Sequence, residues 1–141
     1  MQLSVEDGTL ILRDAESVFA TFSPAKSFGP SAFGALRFRP VMGDGTKGDW
    51  QLLAHLVRVP VLKELRCPKK GDKPCHLSGT NLFLIDAVAT DQEFLHSAPV
   101  PTDFIDSTLQ VPRPAESGLY FKLRDDPSAT NTITLPVQLE K

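Results

Sequence analysis

Apolar and polar residues take turns along short stretches of this chain. In Leu119-Tyr120-Phe121-Lys122-Leu123 the odd positions are apolar and the even ones carry a hydroxyl or an ammonium; Ile133, Leu135, Val137 and Leu139 alternate in the same way with Thr132, Thr134, Pro136 and Gln138. Successive side chains of a strand leave opposite faces of a sheet, so this period of two predicts β-strands with one buried and one wet face. No apolar period of 3.6 is sustained for three turns, which argues against helical and α/β classes. The 12 Pro and 9 Gly break the chain at short intervals, as strands joined by turns require. Strands are predicted over Thr9–Arg13, Ser17–Phe22, Ala35–Val41, Gln51–Val59, Val61–Arg66, His76–Phe83, Phe83–Ala89, Thr108–Val111, Leu119–Leu123 and Thr132–Gln138. Pro136 cannot donate to a ladder, which puts the last strand at an edge or turns position 136 toward solvent.

Asp44-Gly45, between Leu36-Arg37-Phe38-Arg39 and Trp50-Gln51-Leu52, predicts a long hairpin with its tip at Met42–Asp49. Ser23–Ser31, small, polar and rich in Pro and Gly, reads as a loop. Pro60 is a seam between strands. Residues 1–59 form a β-rich N-terminal segment, either part of a preceding domain or extra strands of the same sandwich, and residues 60–141 form an antiparallel β-sandwich.

From Pro60 onward the order of signals resembles the immunoglobulin-like domains of the IPT/TIG or E-set type. His76-Leu77-Ser78-Gly79-Thr80-Asn81-Leu82-Phe83 looks like that family's strand and Gly-x-Asn turn, and Val88 like the apolar position of the next strand. Leu109-Gln110-Val111-Pro112 resembles its strand before a tight turn, and Gly118-Leu119-Tyr120-Phe121-Lys122-Leu123 its Gly-x-Tyr strand. Ser128–Asn131 leading into Ile133, Leu135 and Val137 is similar to its closing strand. The likeness is confined to residues 60–141 and implies an immunoglobulin-like antiparallel β-sandwich there, and no single function; with the strands predicted before Pro60, the expected fold class is an all-β, immunoglobulin-like antiparallel β-sandwich with an additional N-terminal β-rich segment. The long connection Thr90–Ile105 and the pair Cys67 and Cys75 depart from the family pattern.

Composition narrows the classes further. With 41% apolar and 23% charged residues in 141, the chain can bury a core. Its net charge is −2 and its 15 basic residues are spread out, so nucleic-acid binding is not expected; Lys69, Lys70 and Lys73 read as a solvated turn. No apolar run approaches the roughly 18–20 residues of a membrane span, and Met1–Gly8 lacks a signal-peptide pattern. Cys67 and Cys75 enclose Pro-Lys-Lys-Gly-Asp-Lys-Pro, a polar turn that brings its ends together, so a disulfide is expected; a zinc site lacks further ligands. An oxidised pair implies an extracytoplasmic setting, secreted or at the cell surface, as a mature protein or a fragment of a longer chain.

Catalytic machinery is not expected. His55, His76 and His96 stand in no catalytic motif. Asp125-Asp126 before Pro127 reads as a turn with local side-chain caps, and Asp86, amid apolar strand residues, must be paired or lie on the wet face. Asp44 and Asp49 lack the alternating ligands of a calcium loop. An isopeptide bond among Lys63, Lys122 and Asn131 would need a buried lysine. Trp50 and Tyr120 are the candidate ligand platform, since a sugar ring can lie on an aromatic plane; a lone Trp in a sandwich is more often core, while Tyr120, opposite Leu119 and Phe121, is expected outside. The expected role is a non-catalytic binding or structural module, for adhesion, protein interaction or spacing. It would have no cofactor, no metal and no membrane insertion. The alternatives are a carbohydrate-binding module of a glycan-active enzyme, or a subunit of a filament, coat or phage particle that self-associates through sheet edges.

Overall fold

The computed structural model describes residues 1–69, 71, 73–114 and 118–139. Lys70, in the middle of the expected basic turn, lies outside them. Among the described residues the fold is all-β apart from two short turns of helix, and the strands fall into two groups on either side of Pro60.

Before Pro60 the strands form only two-stranded hairpins. Strand β1 (Leu10–Leu12) pairs antiparallel with β2 (Val18–Ala20), and β3 (Gly34–Phe38) with β4 (Gln51–Leu56). Ser23–Ser31, expected as a loop, contains the short helix α1 (Pro24–Phe28). A proline suits the first helical turn, where its missing N–H would have no partner anyway. Between β3 and β4 the predicted tip closes as Met42 N–H donates to the Thr46 carbonyl, with Gly45 at φ 86°. A bulge makes Leu53 the extra residue, for Leu36 faces Ala54 and Arg37 faces Leu52.

After Pro60 come β5 (Val61–Cys67), β6 (Cys75–Thr80), a 3-10 turn (Leu82–Leu84), β7 (Ile85–Ala89), β8 (Ser97–Pro99), β9 (Thr108–Val111), β10 (Gly118–Leu123), β11 (Asp126–Thr134) and β12 (Val137–Leu139). They build two four-stranded sheets, ordered β11-β10-β7-β8 and β12-β5-β6-β9, which pack as a sandwich. The core draws on both: Leu65, Cys67, Cys75, Leu77, Leu109 and Val111 from one sheet meet Ile85, Val88 and Leu119 from the other, with Phe121 and Ile133 packed against them. The odd face of β10 points inward as the alternation predicts, Leu119 and Leu123 being buried.

The alternation from Thr132 to Leu139 divides where it was expected to continue. At Leu135-Pro136 the chain leaves β11 in one sheet, and Val137–Leu139 joins the other, parallel to β5. Pro136 therefore lies between ladders, where its missing N–H costs nothing. Gly79 answers a different need. A Cβ there would collide with the Val61 carbonyl oxygen of the neighbouring strand, so only glycine allows β5 and β6 this close. Two residues on, Asn81 takes the left-handed backbone (φ 57°) that ends β6.

Burial divides the chain sharply. Among the described residues, the 14 buried hydrophobic ones lie from Leu65 to Leu123, and no residue of 1–59 is buried. Neither hairpin enters either four-stranded sheet.

Candidate binding surface

Among the described residues, Arg58 ties residues 1–59 to the sandwich. The Arg58 backbone N–H donates to Asp125 Oδ2 at 3.0 Å, its Nε to the same oxygen at 2.8 Å and its Nη2 to Oδ1 at 2.8 Å. The guanidinium also lies 3.9 Å from the centre of the Phe33 ring. The Asp125 side chain is only 5% exposed, and the side-chain hydrogen bonds from Arg58, aided by its backbone N–H and charge, hold this carboxyl below its ordinary value. The expectation of a local turn pair is half met. Asp126 accepts from the Ser128 hydroxyl two residues on, but Asp125 reaches a residue 67 positions away, a partner that no local pattern reveals. Beside this clamp is a groove of about 440 Å³ lined by Pro24, Pro30, Leu56, Val59, Asn81 and Phe83.

Asp86 is paired. In the β7–β10 ladder Lys122 faces Ala87 and Leu123 faces Ile85, which makes Asp86 the extra residue of a bulge. A bulge re-aims a side chain, and here the Arg124 guanidinium stands 3.3 Å from its Oδ1. Arg124 also donates to the carbonyls of Phe83 at 2.6 Å and Pro101 at 3.0 Å, pinning the segment after β8. Between β7 and β8, Asp91 accepts from the N–H groups of Leu95 at 2.8 Å and His96 at 2.9 Å, which holds its carboxyl below the usual range. This loop thrusts Leu95, 77% exposed, into solvent.

Trp50 adjoins the β3–β4 hairpin, whereas Tyr120 is in β10. Trp50, just before β4, is 57% exposed instead of forming core, and the Arg39 guanidinium is 4.8 Å from its ring centre. Tyr120 is half-buried in β10, between Ala89 and Thr132 of the adjacent strands. His55 is exposed on β4, His76 is in β6, and His96 follows the Asp91 turn; among the described residues no group of three His, Cys, Asp or Glu could hold a metal ion. Lys63 is exposed and Lys122 half-buried, its Nζ 4.7 Å from the Phe94 ring centre, so neither is the buried lysine an isopeptide bond needs. Asp44 caps its own turn, accepting from Thr46 N–H at 2.8 Å.

Cys67 and Cys75 are joined in a disulfide. They follow Arg66 and precede His76 in the β5–β6 register and so stand directly opposite each other, their Cα atoms 4.3 Å apart and both side chains in the core.

Large apolar residues also stand exposed before Pro60. Leu12, Val18, Phe19, Phe38, Trp50, Leu52 and Leu53 are exposed on the two hairpins. Singly exposed apolar residues are ordinary on a monomer, whereas seven large ones on two short hairpins are a candidate interaction surface. Among the described residues no helix is long and apolar enough to cross a membrane. Comparison of the chain with protein-family models, curated proteins and solved structures finds no match.

Proposed function

We propose that this chain is a non-catalytic binding and structural module of a secreted or cell-surface protein. In this reading residues 60–141 are an immunoglobulin-like sandwich of the IPT/TIG type, and residues 1–59 are an arm that docks on protein. One observation carries the reading: the arm holds two hairpins rich in Leu, Phe and Trp, yet none of its residues is buried. An isolated two-stranded hairpin is marginal in water, and stability comes when a third strand or another layer covers it. The buried disulfide supports an oxidising compartment.

Recognition of a glycan is less well supported. A sugar would need a free aromatic plane, but Arg39 lies over Trp50, and Tyr120 is in β10, not in the hairpin that Trp50 adjoins. A photo-activatable crosslinker at Leu52 or Phe19 tests the proposal in the native setting. Protein adducts are expected at both positions and not at Gln110 on β9. Absence of protein adducts at both, with glycan-array binding abolished by Trp50→Ala, would replace it with the carbohydrate reading.

A further inference from the structure

We infer that the open edge of β4 pairs antiparallel with β4 of a second copy of this chain, merging two hairpins into a four-stranded sheet. The inference rests on the protein-docking reading of the arm and names the partner. Strand β4 pairs with β3 along one edge only, so its other edge offers unpaired N–H and C=O groups. Edge strands are usually guarded by lysine, proline, an inward charge or a bulge. Here Gln51-Leu52-Leu53-Ala54-His55-Leu56 has neither lysine, proline nor acid, and the only guard is the bulge at Leu53.

The choice of a second copy comes from register and charge. Read about Ala54, the strand is nearly palindromic in hydropathy. Antiparallel copies centred there set Leu52 against Leu56, Ala54 against Ala54 and Leu53 against His55, so apolar residues mostly meet apolar ones and no two carboxylates or ammoniums are opposed. Of the cations near the hairpin, Arg37 and Arg39 belong to the β3 side, and Arg58, two residues beyond β4, is paired with Asp125. In the order β3-β4-β4-β3 the two β3 strands stand three spacings apart, about 14 Å at roughly 4.8 Å per strand, beyond the Debye length of about 8 Å at physiological salt. The arm as a whole adds no repulsion. Residues 1–59 contain six basic side chains (Arg13, Lys26, Arg37, Arg39, Lys47, Arg58) and six acidic ones (Glu6, Asp7, Asp14, Glu16, Asp44, Asp49), for a net charge of zero. Pairing also takes each hairpin past the three strands at which a sheet becomes stable.

Two measurements on the full chain test this. Light scattering across a dilution series should show a mass twice that of the chain at high concentration, falling to the monomer on dilution. Ala54→Lys, which sets two ammoniums face to face at the two-fold axis, should raise the dissociation midpoint about tenfold or more. Independently of that variant's folding, Ala54→Cys should crosslink between copies under mild oxidation, because facing Cβ atoms lie about 4.5–5.5 Å apart across an antiparallel pair. Gln110→Cys, on the open edge strand β9, should not. Monomeric mass at every concentration, or equal crosslinking at both positions, overturns the inference. If protein adducts still form at Leu52 in a chain that stays monomeric, the docking reading stands and self-pairing falls.

Discussion

Opening the Cys67–Cys75 bond should cost this protein about 2.5 kcal/mol. The two cysteines are 8 residues apart, and closing a loop of that length removes about 8 cal/mol/K from the unfolded chain in the loop-entropy account, which is about 2.5 kcal/mol at 25 °C. Folded domains hold only about 5–15 kcal/mol in reserve, so the bond is a substantial share. Both sulfurs are in the core; reductant should therefore reach them only through opening of β5 from β6, and the native protein should resist reduction far longer than the unfolded one. Urea unfolding of the oxidised chain, compared with the chain unfolded, reduced and refolded with its thiols intact, isolates the loop effect because the core atoms are unchanged. A sandwich of this size should lose about 10–20 °C in Tm. The double substitution Cys67→Ala, Cys75→Ala removes the sulfurs as well and should cost more, the excess being the cavity contribution. A difference under about 0.5 kcal/mol between oxidised and reduced chains would refute the argument, because the unfolded ends would then already be held together without the bond.

Two other perturbations address the clamp and the tightest strand contact. The Asp125 carboxyl is held below the ordinary aspartate value in the folded chain by its hydrogen bonds from Arg58, so its contribution to stability is complete above that ordinary value and is lost as pH falls below it through the folded pKa; Asp125→Asn should flatten this acid limb and speed hydrogen exchange in residues 51–59 while leaving β5–β10 unchanged, and an unaltered acid limb would show that the clamp does not hold the arm. Gly79→Ala drives a methyl against the Val61 carbonyl and should cost about 1–3 kcal/mol in urea unfolding; a neutral result would mean that β5 and β6 can separate freely at that point.

Most of the strand pattern was legible because a period of two is written locally. Thr108–Val111 was read with its observed bounds, and the inward face of β10 followed from Leu119, Phe121 and Leu123. The disulfide was equally local, a polar turn between two cysteines in facing strands. What failed needed information about distant partners. Strand β8 ends in Pro99 within a Pro-broken, acidic stretch and has no alternation to announce it. Trp50 was given the usual place of a lone tryptophan, but alternation says only which residues share a face, not whether anything covers it. Asp125 looked like half of a turn because its partner is 67 residues away. Asp86 meets both of its expected outcomes, its side chain paired and 47% exposed, and the bulge that aims it at Arg124 depends on the register of β7 against β10.

Two bulged hairpins, one on each side of Pro60, show what separates the halves of this chain. Strands β5 and β6 are paired antiparallel with a bulge at Lys63, and β3 and β4 with a bulge at Leu53. Both are rich in leucine. Yet β5–β6 buries Leu65, Cys67, Cys75 and Leu77 beneath a second sheet, and β4 buries nothing. Backbone pairing contributes little net free energy once water's own hydrogen bonds are counted, so cover decides which hairpin persists. Exchange protection should follow cover: slow for Leu65 and Leu77, fast for Leu52–Leu56 in the dilute chain. Any occupant of the β4 edge must then slow exchange at Leu52–Leu56 first, since edge pairing acts on those N–H groups directly. An occupant that slowed exchange only at Leu12 or Phe19 would be using the other hairpin.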